Sequence, residues 1–138
     1  MKKIVLFLSL LISFSSCEKE AGEGGTSVIE GQVYKIHTFQ NFTTGVWDTL
    51  YYQLDAGKDV YIIYSDNQSD VYDDKFETDY NGIYRFEYLR KGDYTIYTYA
   101  DSIDMNNVNY DYPIFKHIKI NSNNSDNSVE DFVIEKNQ

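Results

Sequence analysis

From Val28 onward the chain alternates apolar and polar residues with a period of two, in short runs broken by turn residues, and it shows no long apolar run at helical spacing. A chain patterned in this way builds strands, because alternate side chains of a strand point to opposite faces. Ile29, Gly31 and Val33 alternate in the first run. Val60, Ile62 and Tyr64 alternate in a later one, with Tyr61 and Ile63 on its opposite face. Asp79-Tyr80-Asn81-Gly82 predicts a tight hairpin turn between Phe76–Thr78 and Ile83–Phe86, since Asn and Gly tolerate positive φ. Leu89-Arg90-Lys91-Gly92-Asp93 predicts a second turn, leading into a strand with Tyr94 and Ile96 facing in and Thr95, Tyr97 and Tyr99 facing out. Two last strands are expected around Ile114–Ile120 and Val129–Ile134, separated by an Asn/Ser/Asp-rich loop over 121–128. About seven such strands suit an all-β domain, a single two-layer Greek-key sandwich, with a closed barrel as the alternative.

Composition agrees with strands and narrows the partners. Of 138 residues, 14 are Tyr and 8 are Phe, side chains that pack well on a pleated surface. The formal net charge is -10, and no cluster of Lys or Arg stands out. Such a surface repels phosphate backbones, which excludes nucleic acid as a partner class, and it also repels the anionic face of a bilayer.

The first residues have a different character. Lys2 and Lys3 precede an apolar run from Ile4 to Phe14, the length of a signal-peptide core and too short to span a bilayer. The run ends in Phe14-Ser15-Ser16-Cys17, which resembles the bacterial lipobox, so that residues 1–16 are expected to be a lipoprotein signal peptide and Cys17 the lipidated residue. It is the single cysteine, and an unpaired thiol in an oxidising compartment is otherwise a liability. Lipidation there implies an outer-membrane lipoprotein whose membrane attachment comes from the anchor. Residues 17–26, rich in Gly and Glu, are expected to form a flexible tether before a domain spanning 27–138. The stretch Glu18-Lys19-Glu20-Ala21-Gly22-Glu23-Gly24-Gly25 also resembles the acidic signal that carries some lipoproteins to the cell surface; a merely soluble linker is the alternative.

Ile29-Glu30-Gly31-Gln32-Val33, Gly57-Lys58-Asp59-Val60-Tyr61-Ile62, Thr78-Asp79-Tyr80-Asn81-Gly82 with its aromatic strand, and Leu89-Arg90-Lys91-Gly92-Asp93-Tyr94 together resemble the carboxypeptidase regulatory-like domain. That family has a transthyretin-like sandwich related to the B-type repeats of collagen adhesins. The resemblance spans most of Val28 to Ala100 and implies a folding and interaction module that brings no catalytic residues. Two departures bear on chemistry. The strand Tyr94–Tyr99 holds no acid of the kind that catalyses the adhesins' lysine crosslink, although Lys35 is present, and the chain ends in Glu135-Lys136-Asn137-Gln138 without the catalytic tail of the transthyretin-like hydrolases.

The residues offer few sites. His37 and His117, the two histidines, lie in no nucleophile or zinc spacing and are expected at the surface or a strand edge. Asp66, Asp70, Asp73 and Asp74 gather oxygens between two strands and are the calcium candidates, a solvated acidic loop being the alternative because the spacing is not that of an EF-hand. Tyr61, Tyr97 and Tyr99 are expected to share an outer sheet face, with Trp47 near the start of the second strand. Flat rings with polar rims suit sugars or a partner protein, unless a second layer covers them. The sequence therefore predicts no enzyme and no required cofactor. It predicts a lipid-anchored envelope or cell-surface module binding glycan or protein, or alternatively a structural subunit of an outer-membrane transport, secretion or adhesion complex.

Overall fold

The computed structural model describes residues 20–103 and 108–137. The expected signal peptide and Cys17 lie outside them. The described chain is all β, with nine strands in two sheets: β1 (Glu23–Gln40), β2 (Trp47–Leu54), β3 (Asp59–Ile63), β4 (Asp74–Glu77), β5 (Ile83–Leu89), β6 (Gly92–Ile103), β7 (Asn109–Ile120), β8 (Asp126–Ser128) and β9 (Phe132–Asn137). The first sheet is built around β1. Antiparallel β5 and β2 follow one another along it, with Gly31 opposite Tyr84 and His37 opposite Tyr51. Parallel β8 and β9 pair with it too, Ile29 opposite Asn127 and Val33 opposite Phe132. The second sheet is antiparallel in the order β4-β3-β6-β7.

The period-two pattern is what closes these sheets on each other. Ile29 and Val33 from β1, Val60 and Ile62 from β3, Ile96 from β6 and Phe132 from β9 are each fully buried in one core. Each such side chain contributes about 1.5–3 kcal/mol on leaving water. Tyr94 and Ile96 face in as expected, joined by Thr98 and Ala100.

Three expectations need correction. The strands number nine where about seven were expected, and β8 lies within 121–128, the stretch read as loop. Its polar side chains bond their own backbone surroundings, as Asn127 does by donating to the Val28 carbonyl at 2.9 Å, so no apolar alternation marks it. The turns at 79–82 and 90–91 do not make hairpins within one sheet, since β5 belongs to the first sheet and both β4 and β6 to the second. Asp79 still closes its turn as its chemistry dictates, its carboxylate accepting from the Asn81 and Ile83 amides at 2.8 and 2.9 Å, with Gly82 at φ +70°. What local sequence does not encode is which sheet the next strand joins.

Residues 20–26, expected within a flexible tether, are packed instead. β1 begins at Glu23, Ala21 packs against the core, and the Gly22 amide donates to the Tyr94 hydroxyl at 2.9 Å. The glycines that suggested flexibility permit close approach: a Cβ on Gly25 would lie 2.0 Å from the Leu89 carbonyl oxygen.

The bond from Gly22 to Tyr94 also sets β1 and β6 starting at the same pole. Further along, Lys116, opposite Ile96, reaches Glu130 at 3.0 Å and lies 5.4 Å above the Phe132 ring, whose strand runs parallel to β1. The two long strands thus run the same way, and the turn after β1 lies at the pole away from residue 20.

Candidate functional site

Pairing of β3 with β6 places Tyr61 opposite Tyr97 and Ile62 opposite Ile96, and β7 sets Phe115 opposite Tyr97. With the isoleucines in the core, period two turns Tyr61, Tyr97, Tyr99 and Phe115 outward together. The three tyrosines do share a face, as their alternation predicts. Tyr61 and Tyr97 stack with ring centroids 4.9 Å apart at 14°, and Tyr99 stands edge-on to both, at 5.8 and 5.7 Å. Phe115 packs 5.1 Å from Tyr97.

Tyr72 joins from the β3–β4 connection, edge-on to Tyr61 at 4.9 Å. The rings are therefore unequal. Tyr97 is 8% exposed and forms the floor, whereas Tyr99 at 37% and Tyr72 at 46% present themselves to solvent. Beside them Lys75 pairs with Asp59 at 3.1 Å, and the Tyr61 hydroxyl donates to Asp59 at 3.4 Å. Burial, then the Asp59 carboxylate, pushes the Tyr61 hydroxyl up from its ordinary value. Burial and then the neighbouring Tyr99 push Tyr97 up to about 12. Both phenols stay protonated near neutrality, so they offer neutral hydroxyls that donate and accept.

The other end of this face is covered. Thr95 points outward yet is fully buried beneath the β3–β4 connection. Its hydroxyl donates to the Ser65 carbonyl at 2.8 Å and so is left to accept from His117 Nδ1 at 2.9 Å, which makes Nε2 the acceptor for the Gln68 amide at 2.9 Å. His117 is exposed, as expected, and pins the connection to the sheet. His37 is not at the surface: it is 7% exposed, stacked on Tyr51 at 4.3 Å, with Nε2 3.1 Å from Gln53 Oε1. The inward side of β1 takes it in because Tyr51 on β2 supplies a ring of matching shape.

The calcium candidates are engaged in holding the same connection. Asp70 accepts from the Ser65 hydroxyl and the Asn67 amide at 2.7 and 2.6 Å, Asp73 from the Tyr64 amide at 2.7 Å, and Asp74 from the Lys75 amide at 2.7 Å. Asp66 lines a concavity at the pole of residue 20 instead. Among the described residues no three His, Cys, Asp or Glu side chains gather as a metal site.

Trp47 opens β2, as expected, but it belongs to the first sheet, opposite Gln40, and takes no part in the tyrosine cluster. Sequence reading missed Tyr72 and Phe115. Phe115 lies in the predicted strand Ile114–Ile120, but only the β6–β7 register brings it beside Tyr97; nothing local announces that Tyr72 folds back over Tyr61.

No protein-family model matches the chain, and no curated protein does. Among solved structures, a proposed carbohydrate-binding protein from Pseudomonas aeruginosa is similar over 84% of this chain and 92% of its own, at 16% identity and a TM-score of 0.48.

Proposed function

We propose that this chain is a non-catalytic saccharide-binding module of the cell envelope, held at the outer membrane by a lipid on Cys17, with a fold kinship to carboxypeptidase regulatory-like domains. The observation that carries the reading is the outer face of the second sheet, where the exposed Tyr72 and Tyr99 rings stand on a Tyr61–Tyr97 stack with the Asp59–Lys75 pair alongside. Sugar C–H faces pack on aromatic rings, and the protonated tyrosine hydroxyls, the Asp59 carboxylate and the Lys75 ammonium can exchange hydrogen bonds with ring hydroxyls.

The test is calorimetric titration of the Cys17→Ala chain against a panel of soluble oligosaccharides, alongside Tyr72→Ala and Tyr99→Ala. Each substitution is expected to weaken binding about tenfold, which corresponds to about 1.4 kcal/mol. Unchanged affinity in both variants removes the face as the site, and steady turnover of any bound glycan ends the non-catalytic reading. For the anchor, Cys17→Ala is expected to release the protein from the membrane fraction.

A further inference from the structure

We infer that the tip of the β1–β2 hairpin is a second saccharide subsite, built on Trp47 and selective for neutral sugars. Phe39, Gln40, Asn41, Phe42, Thr43 and Trp47 line a concave surface of about 470 Å³ there. Its rings differ from those of the tyrosine face. Phe42 is 98%, Trp47 49% and Phe39 39% exposed, and no ring among the described residues packs on any of them. Rings left open in this way add nothing to the core, and clustered exposed aromatics mark interaction surfaces.

The polar lining decides the occupant. Asn41 is spent on the turn itself, accepting from the Thr43 amide at 3.0 Å and donating to Asp48 at 3.3 Å. Gln40 makes one long bond, donating to the Gly45 carbonyl at 3.5 Å, and its carbonyl oxygen and the Thr43 hydroxyl pair with nothing else described. An indole face with a free amide oxygen and a free hydroxyl beside it matches a sugar ring, apolar on one side and hydroxylated at its edge. None of the six lining residues is charged, so the site offers no cation to a uronic or sulfated sugar, and the net charge of -10 repels one. A neutral oligosaccharide is the class that fits. The tip lies at the pole away from residue 20, which directs it outward from a tether at the N-terminal side.

The inference shares its ligand class with the proposed function but rests on different residues, so the two can fail separately. Trp47 is the sole tryptophan, and its emission therefore reads this site alone. The Cys17→Ala chain is titrated with neutral gluco-, manno- and galacto-oligosaccharides and with oligogalacturonate, following tryptophan emission and heat in parallel. A saturable emission change is expected with a neutral sugar and not with oligogalacturonate. Phe42→Ala, whose side chain is 98% exposed and does not threaten the fold, is expected to weaken it about tenfold or more, and Tyr99→Ala is expected to leave it unaltered. Heat of binding without an emission change up to about 10 mM sugar overturns the tip site and leaves the tyrosine face standing. Silence in both signals ends both readings. An emission change that follows protein concentration without sugar overturns the inference in favour of pairing between copies at the tip, and equal response to oligogalacturonate overturns its selectivity.

Discussion

The hydroxyl of Tyr94 meets the backbone of Gly22 across 72 residues of chain, accepting from its amide at 2.9 Å while donating to the Arg90 carbonyl at 2.8 Å. One fully buried side chain thereby ties the chain entry to the crossing between β5 and β6, a tyrosine corner of the kind that sandwiches use to set a turn. Tyr94→Phe strands both partners at little change in shape. It is expected to lower stability by about 1–3 kcal/mol, read as a fall in the urea midpoint at unchanged slope; an unaltered midpoint would show that water replaces the hydroxyl at no cost.

Gly31 and Tyr84 face each other across β1 and β5, and a Cβ on Gly31 would stand 2.3 Å from the Tyr84 hydroxyl oxygen. That hydroxyl is buried without a hydrogen-bond partner. Gly31→Ala is expected to cost about 1–3 kcal/mol through overpacking. Tyr84→Phe is expected to raise stability by about 1 kcal/mol, because a buried unsatisfied donor disappears. Combining the two should relieve only part of the Gly31→Ala cost in a double-mutant cycle, since the hydroxyl oxygen is gone while ring carbons Cζ and Cε1 still stand 2.5 and 2.9 Å from the added Cβ.

Lys35 pairs with Asp55 at 2.6 Å, yet the two side chains differ in exposure, 30% for the lysine and 5% for the aspartate, whose second oxygen lacks a partner. Lysine can carry its ammonium to water along a flexible stem, and a buried carboxylate cannot do the same. Lys35→Met is therefore expected to destabilise by about 3 kcal/mol and Asp55→Asn by less. Chemical denaturation of both variants checks the order, and the reverse order would place the electrostatic strain on the lysine.

The tyrosine face predicts an alkaline limit to stability. Tyr97 is raised from 10.0 to about 12, first by burial and then by Tyr99. Its contribution is fully present below pH 10, where folded and unfolded chains both keep the proton. Between pH 10 and about 12 the unfolded chain loses the proton while the folded one retains it, so stability falls as pH rises through that window. Denaturation midpoints at pH 9 and 11 should diverge less in Tyr97→Phe than in the parent chain.

How much of this was legible depended on the range of the cause. Tyr94 and Ile96 facing in and Tyr61, Tyr97 and Tyr99 facing out followed from alternation within a single strand, which also put Ile29 with Val33 and Val60 with Ile62 on shared faces without fixing which face the core takes. Asp79-Tyr80-Asn81-Gly82 was readable as a turn for the same reason, its carboxylate closing on amides two and four residues ahead. Phe115 beside Tyr97, Tyr72 over Tyr61, and Lys35 beside Asp55 were not readable, since each depends on pairing register or on a loop folding back. Trp47 was singled out for its chemistry, and its isolation from the tyrosines came from which sheet β2 joins.

The sequence by itself determined an all-β chain, the two faces of the Tyr94–Tyr99 strand and the turns at 79–82 and 90–91, because backbone sterics and side-chain alternation act over a few residues. Only the tertiary structure decided that successive turns cross between two sheets, that Gly22 and Gly25 are packed rather than loose, and that the aromatics divide into a stacked face and an open tip. Those outcomes are set by how two twisted sheets pack and by the registers of strands far apart in sequence, and no local run of residues carries that information.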